Sequence, residues 1–178
     1  MFTREAKLSD LGRASRKGQS GPHDHMAMAG DPYYAPPELL YRSVDGDWSR
    51  RRVACDAYLL GSLIHFFFTS VGFTQALLAR LHPTQRPNEW SGTFEAALPH
   101  IRQAFNETLR TFRAALAQRM PAPLADELTL MVEQLCEPEN TLRGHPRNRR
   151  FVDTQFSLER YISRLDALAR KAALQRAS

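Results

Sequence analysis

The chain has 178 residues, of which 43% are hydrophobic and 24% charged. That is the composition of one globular domain with its own core, and it excludes a disordered or low-complexity polypeptide. The formal net charge of +5 raises nucleic acid as a partner. However, the two densest basic clusters, Arg50-Arg51-Arg52 and Arg147-Asn148-Arg149-Arg150, carry no interleaved aromatics to stack bases. Solvated loops or acidic partners are expected there, and nucleic acid is not.

Met1-Phe2-Thr3-Arg4-Glu5 has no apolar core of the kind a signal peptide needs. Residues 6–14 read as a short strand ending in a turn at Asp10-Leu11-Gly12. Residues 15–32, rich in Gly, Ser, His and Lys, read as a long loop. His23 and His25 flank Asp24 within it, but nothing nearby completes a metal-ligand set, so a loop is the expectation. Pro36-Pro37 leads into a short helix at Glu38-Leu39-Leu40-Tyr41, since proline is tolerated in a first helical turn. Residues 42–53 read as a polar, arginine-rich connection.

A strongly apolar helix follows over 54–70, with Asp56 close to its start, where a carboxylate suits the partial positive charge of a helix N-terminus. Residues 57–79 carry no formal charge, a run long enough to cross a bilayer. Ser62, His65, Thr69, Ser70, Thr74 and Gln75 interrupt it, so a helix buried on all sides of a soluble domain is expected, and a membrane is not. Over 93–119, apolar residues from Phe94 to Leu116 recur at spacings of three and four, giving one long helix or two broken near Pro99. Residues 124–136 predict an amphipathic helix with Asp126 and Glu127 in its first turn, and a last helix spans about 157–175. Strand signals are nearly absent, so a mainly α fold with little or no sheet is expected. Cys55 and Cys136 lie far apart in apolar runs with no C-x-x-C pair, which reads as free thiols in a reducing cytosol. A cytoplasmic location follows from that reading.

Four patches, taken in chain order, carry a shared resemblance. Lys7-Leu8-Ser9-Asp10-Leu11-Gly12 resembles the strand and D-F-G motif, with Leu in place of Phe. Gly30-Asp31-Pro32-Tyr33-Tyr34-Ala35-Pro36-Pro37-Glu38 is similar to G-T-x-x-Y-x-A-P-E, departing from it at Asp31 and Pro36. Asp56-Ala57-Tyr58-Leu59-Leu60-Gly61 resembles the D-x-x-x-x-G opening of the buried F helix. The segment from Leu135 to Arg143 resembles the late stretch ending in D-P-x-x-R. Together the four patches resemble the protein kinase superfamily; the resemblance runs from Lys7 to about Leu168, and the wording of the patches looks more like bacterial Ser/Thr kinases than animal ones. It implies the helical C-lobe of a kinase-like fold, with 6–38 as activation segment, 54–70 as the F-type helix, 93–119 as a helical insertion or G region and 124–175 as C-terminal helices. It further implies Asp10 as a magnesium ligand, Gly30, Asp31 and Tyr34 in substrate positioning, Asp56 as F-helix anchor, and a buried ion pair between Glu38 and Arg143.

In that family, magnesium and ATP are held by a glycine-rich loop, a strand lysine and an H-R-D loop with a downstream Asn. The nine residues before Asp10 hold none of these, and no later segment supplies a substitute. The expectation is a kinase-like piece that binds no ATP and transfers no phosphate alone. Its expected partner is the missing N-terminal kinase half or another protein. The alternative is a non-catalytic, pseudokinase-type interaction module, or the C-terminal part of a split kinase.

Overall fold

The computed structural model describes residues 14–26, 28, 30–151 and 154–177. The expected strand over 6–14, and Asp10 with it, lies outside these residues except for Ala14. The described residues form six α-helices and no strand, with a lone bridge between Arg16 and Gln19. The fold is mainly α.

Helix α1 is a single turn, Pro37–Leu40, with Pro37 at its first position, where the missing N–H leaves no bond unmade. The stretch expected as a connection is helical in its second half. Ser49–Val53 form one π-helical turn that runs directly into α2, Ala54–Thr69. The true cap is Asp47, whose carboxylate accepts from the Arg50 N–H at 2.8 Å. Asp56 lies in the first turn of α2 as expected, while the π-helical turn ahead of it moves the start of the continuous helical run back to Asp47.

At Ser70 the backbone turns left-handed (φ 60°), ending α2, and α3 (Phe73–Leu78) folds back beside it. The uncharged run is thus divided between two helices. No helix among the described residues is long and apolar enough to cross a membrane.

Helix α4, Phe94–Ala117, is continuous through Pro99. The proline falls in its second turn, where it forfeits a single bond, while Thr93 caps the start by accepting from the Ala96 N–H. Helix α5 spans Ala122–Leu135, starting two residues earlier than expected because Pro123 sits comfortably in a first turn. Asp126 and Glu127 consequently fall in the second turn and bond sideways, to Arg113 at 2.6 Å and Arg164 at 3.0 Å. Helix α6 runs Glu159–Ala177.

The core lies where α2, α3, α4 and α5 meet. Phe73 is its hub, with ring centroids 5.4 Å from His65, 5.7 Å from Phe105 and 6.2 Å from Tyr58. Helices α2 and α5 approach so closely at Gly61 that an added Cβ would lie 2.6 Å from Cys136 Sγ and 2.8 Å from Leu135 Cβ. Helix α2 is not buried on all sides, correcting the expectation. Ala57, Tyr58, Gly61, Ile64 and His65 face the core, whereas Leu59, Leu63, Phe66 and Phe67 are exposed.

Candidate functional site

Among the described residues, the Arg143 side chain is completely buried, 0% exposed. Its Nη1 and Nη2 each donate to one carboxylate oxygen of Glu38, both at 2.8 Å. Nη1 also donates to the Ala54 carbonyl at 3.1 Å, Nη2 to Pro138 at 3.4 Å, and Nε to Glu137 at 2.9 Å. All five N–H groups are thereby used. Its guanidinium also lies 5.1 Å from the centre of the Tyr58 ring. Burial alone would lower the Arg143 pKa, but the Glu38 carboxylate more than offsets it and holds the group charged. The two-point geometry of a guanidinium on a carboxylate is the strongest ion-pair arrangement side chains offer. Here it joins α1, the first residue of α2 and the 137–138 turn.

The segment ahead of Glu38 is tied separately. Thr74 of α3 donates from Oγ1 to the Ala35 carbonyl at 3.0 Å and shares a 2.9 Å bond with the Tyr58 hydroxyl. Beyond α1, the Tyr41 hydroxyl bonds the Gln85 carbonyl, and burial raises its pKa to about 12. Residues 35–41 are therefore held at three points against the helical core.

Upstream, the chain turns at 31–34. The Asp31 carboxylate accepts from the Tyr33 N–H at 2.9 Å, and the Asp31 carbonyl accepts from the Tyr34 N–H at 3.0 Å. Tyr34 is exposed. Gly30, Asp31, Tyr34 and Asp56 line one cavity of about 490 Å³, with Trp48 and Arg52. Partial desolvation there raises the Asp56 carboxyl above its usual value. The structure thus brings four of the expected residues to one cavity and pairs Glu38 with Arg143 beyond it.

Arg52 escaped sequence reasoning. Its Nη2 donates to the carbonyls of His23, Asp24 and Met26 at 3.0, 3.3 and 2.9 Å, pinning the long loop to the π-helical turn. An arginine within Arg50-Arg51-Arg52 looks the same in sequence whether it is solvated or clamps a loop. The placement of the π-turn is the missing signal.

Magnesium with ATP is the group the resemblance implies. Among the described residues, no three His, Cys, Asp or Glu side chains gather closely enough to hold a metal ion. Asp10 lies outside them. The described residues do not by themselves fit a magnesium–nucleotide pair. In comparison with known proteins, no family model, curated protein or solved structure matches the chain.

Proposed function

We propose that this chain is the helical lower half of a protein kinase-like domain, in which 30–38 is the end of an activation segment that presents protein substrate. The observation that carries the reading is the buried two-point bond between Glu38 and Arg143, 105 positions apart in sequence. It lies at the two motif positions where the resemblance puts an ion pair. Support also comes from the shared cavity of Gly30, Asp31, Tyr34 and Asp56. In this reading Glu38 and Arg143 fix the segment's base, Thr74 fixes Ala35, and the 31–34 turn sets the exposed Tyr34 toward an incoming polypeptide. The activity proposed for the assembled domain is ATP-dependent phosphorylation of protein Ser or Thr. The glycine-rich loop, lysine and H-R-D residues would come from outside these 178 residues.

A non-catalytic interaction module is the second reading, and a specific feature favours it. Leu59, Leu63, Phe66 and Phe67 put an apolar stripe of α2 in solvent, and such surface calls for a protein cover. Nucleotide titration of the purified chain with magnesium tests the reading. No saturable ATP binding is expected, and a saturable signal would overturn it. The coding sequence upstream of Met1 separates the two functions. An in-frame H-R-D loop and strand lysine there support the kinase half, and unrelated sequence favours the interaction module.

A further inference from the structure

Sharing no lining residue with the 30–56 cavity, the loop after Arg143 and the first turns of α6 line a second, open cavity of about 650 Å³. His145 and Arg147 form its loop wall, and Arg160, Tyr161, Ser163 and Arg164 form its helix wall. Arg160 and Arg164 stand one turn apart on the same face of α6. Each is oriented through its Nε: Arg160 donates to Asn148 Oδ1 at 2.9 Å, and Arg164 to Glu127 Oε2 at 3.0 Å. Asn148 is itself buried, so Arg160 is held by a fixed acceptor. A bond at Nε sets the plane of the guanidinium. Among the described residues the terminal nitrogens of both arginines make no other hydrogen bond, and these are the atoms that grip an oxyanion end-on.

The loop wall is equally set. Gly144 adopts φ +97°, and an added Cβ there would collide with the Gln155 carbonyl. The Gln155 side-chain amide donates to the carbonyls of Asn140, Thr141 and Arg143 at 3.0, 3.0 and 3.2 Å. Arg149 Nε donates to the Gly144 carbonyl at 3.1 Å. The loop wall is thereby anchored at Gly144, and within it His145 Nδ1 accepts from the Arg147 backbone N–H at 3.2 Å.

Its field is positive. Three guanidiniums line it against the single carboxylate of Glu159, with Glu127 of α5 taking up part of the Arg164 charge. The His145 imidazole reports the same field, since its pKa is lowered by burial and then by Arg160, Arg147, Arg164 and Arg149. The volume exceeds that of a phosphate group, and the His145 and Tyr161 rings, with centroids 6.3 Å apart, border the remaining space.

We propose that this cavity binds a phosphate monoester, with Arg147 and Arg160 gripping the phosphate from opposite walls and the organic remainder lying toward His145 and Tyr161. The site is independent of the kinase-like reading, because it uses none of the residues of the Glu38–Arg143 clamp or the 30–56 cavity. The ester can be a small metabolite or a phosphorylated side chain, and the probes separate the two sources.

The test is a titration of the whole chain at constant ionic strength, following the His145 ring protons by NMR. The probes are inorganic phosphate, phosphoserine, and a phosphoserine peptide with its unphosphorylated twin. Saturable shifts and a raised His145 pKa are expected with each phosphate probe and not with the twin. Tighter binding of the peptide than of phosphoserine, or the reverse, supports the site and names its source. Arg160→Gln is expected to weaken binding about tenfold, the worth of one charged hydrogen-bonded contact. Arg147→Gln on the other wall should do the same, while exposed Arg110→Gln on α4 changes nothing. Linear, unsaturating shifts, equal binding of the unphosphorylated twin, or equal weakening by Arg110→Gln would overturn the proposal.

Discussion

At the scale of single residues, His65 is a titratable group placed in the apolar core. It is buried between Phe73 and Phe112, with ring centroids 5.4 and 4.9 Å away, and its Nδ1 bonds the Val71 carbonyl at 2.8 Å. Burial lowers its pKa, the Val71 bond partly opposes that, and Arg80 adds to the lowering. The folded value therefore lies below the unfolded value of about 6.5. As pH falls, the unfolded chain takes up the proton first. The stability contributed by neutral His65 is fully present above about pH 6.5 and is lost as pH drops from there through the folded value. Melting temperatures measured from about pH 7.5 down to about pH 5.5 should fall, and the slope should be shallower in His65→Gln. An unchanged slope would contradict the assignment. His145, shifted the same way, contributes some of the slope in both proteins. Legibility at this scale was uneven. Glu38 and Arg143 could be paired from their motif positions alone. Arg52 could not, because its three carbonyl partners come from a loop whose path no local pattern specifies.

At the scale of elements, one glycine sets the distance between two helices. Gly61→Ala in an exposed helix would be worth about 1 kcal/mol in favour of folding. Here the new methyl meets Cys136 and Leu135, on a neighbouring helix and its cap, so the variant should instead lose about 1–3 kcal/mol. Urea unfolding measures it, and a stabilised variant would show that α2 and α5 sit further apart. The two sides of the helical assembly should also respond unequally to truncation. Phe112 is fully buried, so Phe112→Ala should cost about 3–5 kcal/mol, while Phe67, 73% exposed, should change stability by less than about 0.5 kcal/mol. Helix α4 was legible because its apolar residues recur every three to four positions over 24 residues. The start of α5 was misread because Ala122 and Pro123 carry no apolar period, and the helix begins with them. The exposed side of α2 was invisible in sequence, since leucine and phenylalanine occupy both its faces and hydrophobicity alone cannot say which face is covered.

At the scale of the whole molecule, the mainly α architecture followed from periodicity and the absence of strand signals. The loop network around 14–34 did not, because it rests on side-chain to carbonyl bonds between distant segments. Segments more than 80 positions apart are joined by the Arg143 guanidinium, which binds α1, the start of α2 and the 137–138 turn at once. If that junction organises the candidate substrate-positioning segment, Glu38 and Arg143 must depend on each other energetically. Removing either leaves a buried charge unpaired, at a cost of about 3–5 kcal/mol. Removing both leaves none. A double-mutant cycle of Glu38→Gln, Arg143→Met and the pair, read by urea unfolding, is the most direct test. The double variant should lose about 2–3 kcal/mol less than the two single losses added together. Additive losses, with coupling below about 0.5 kcal/mol, would contradict the clamp.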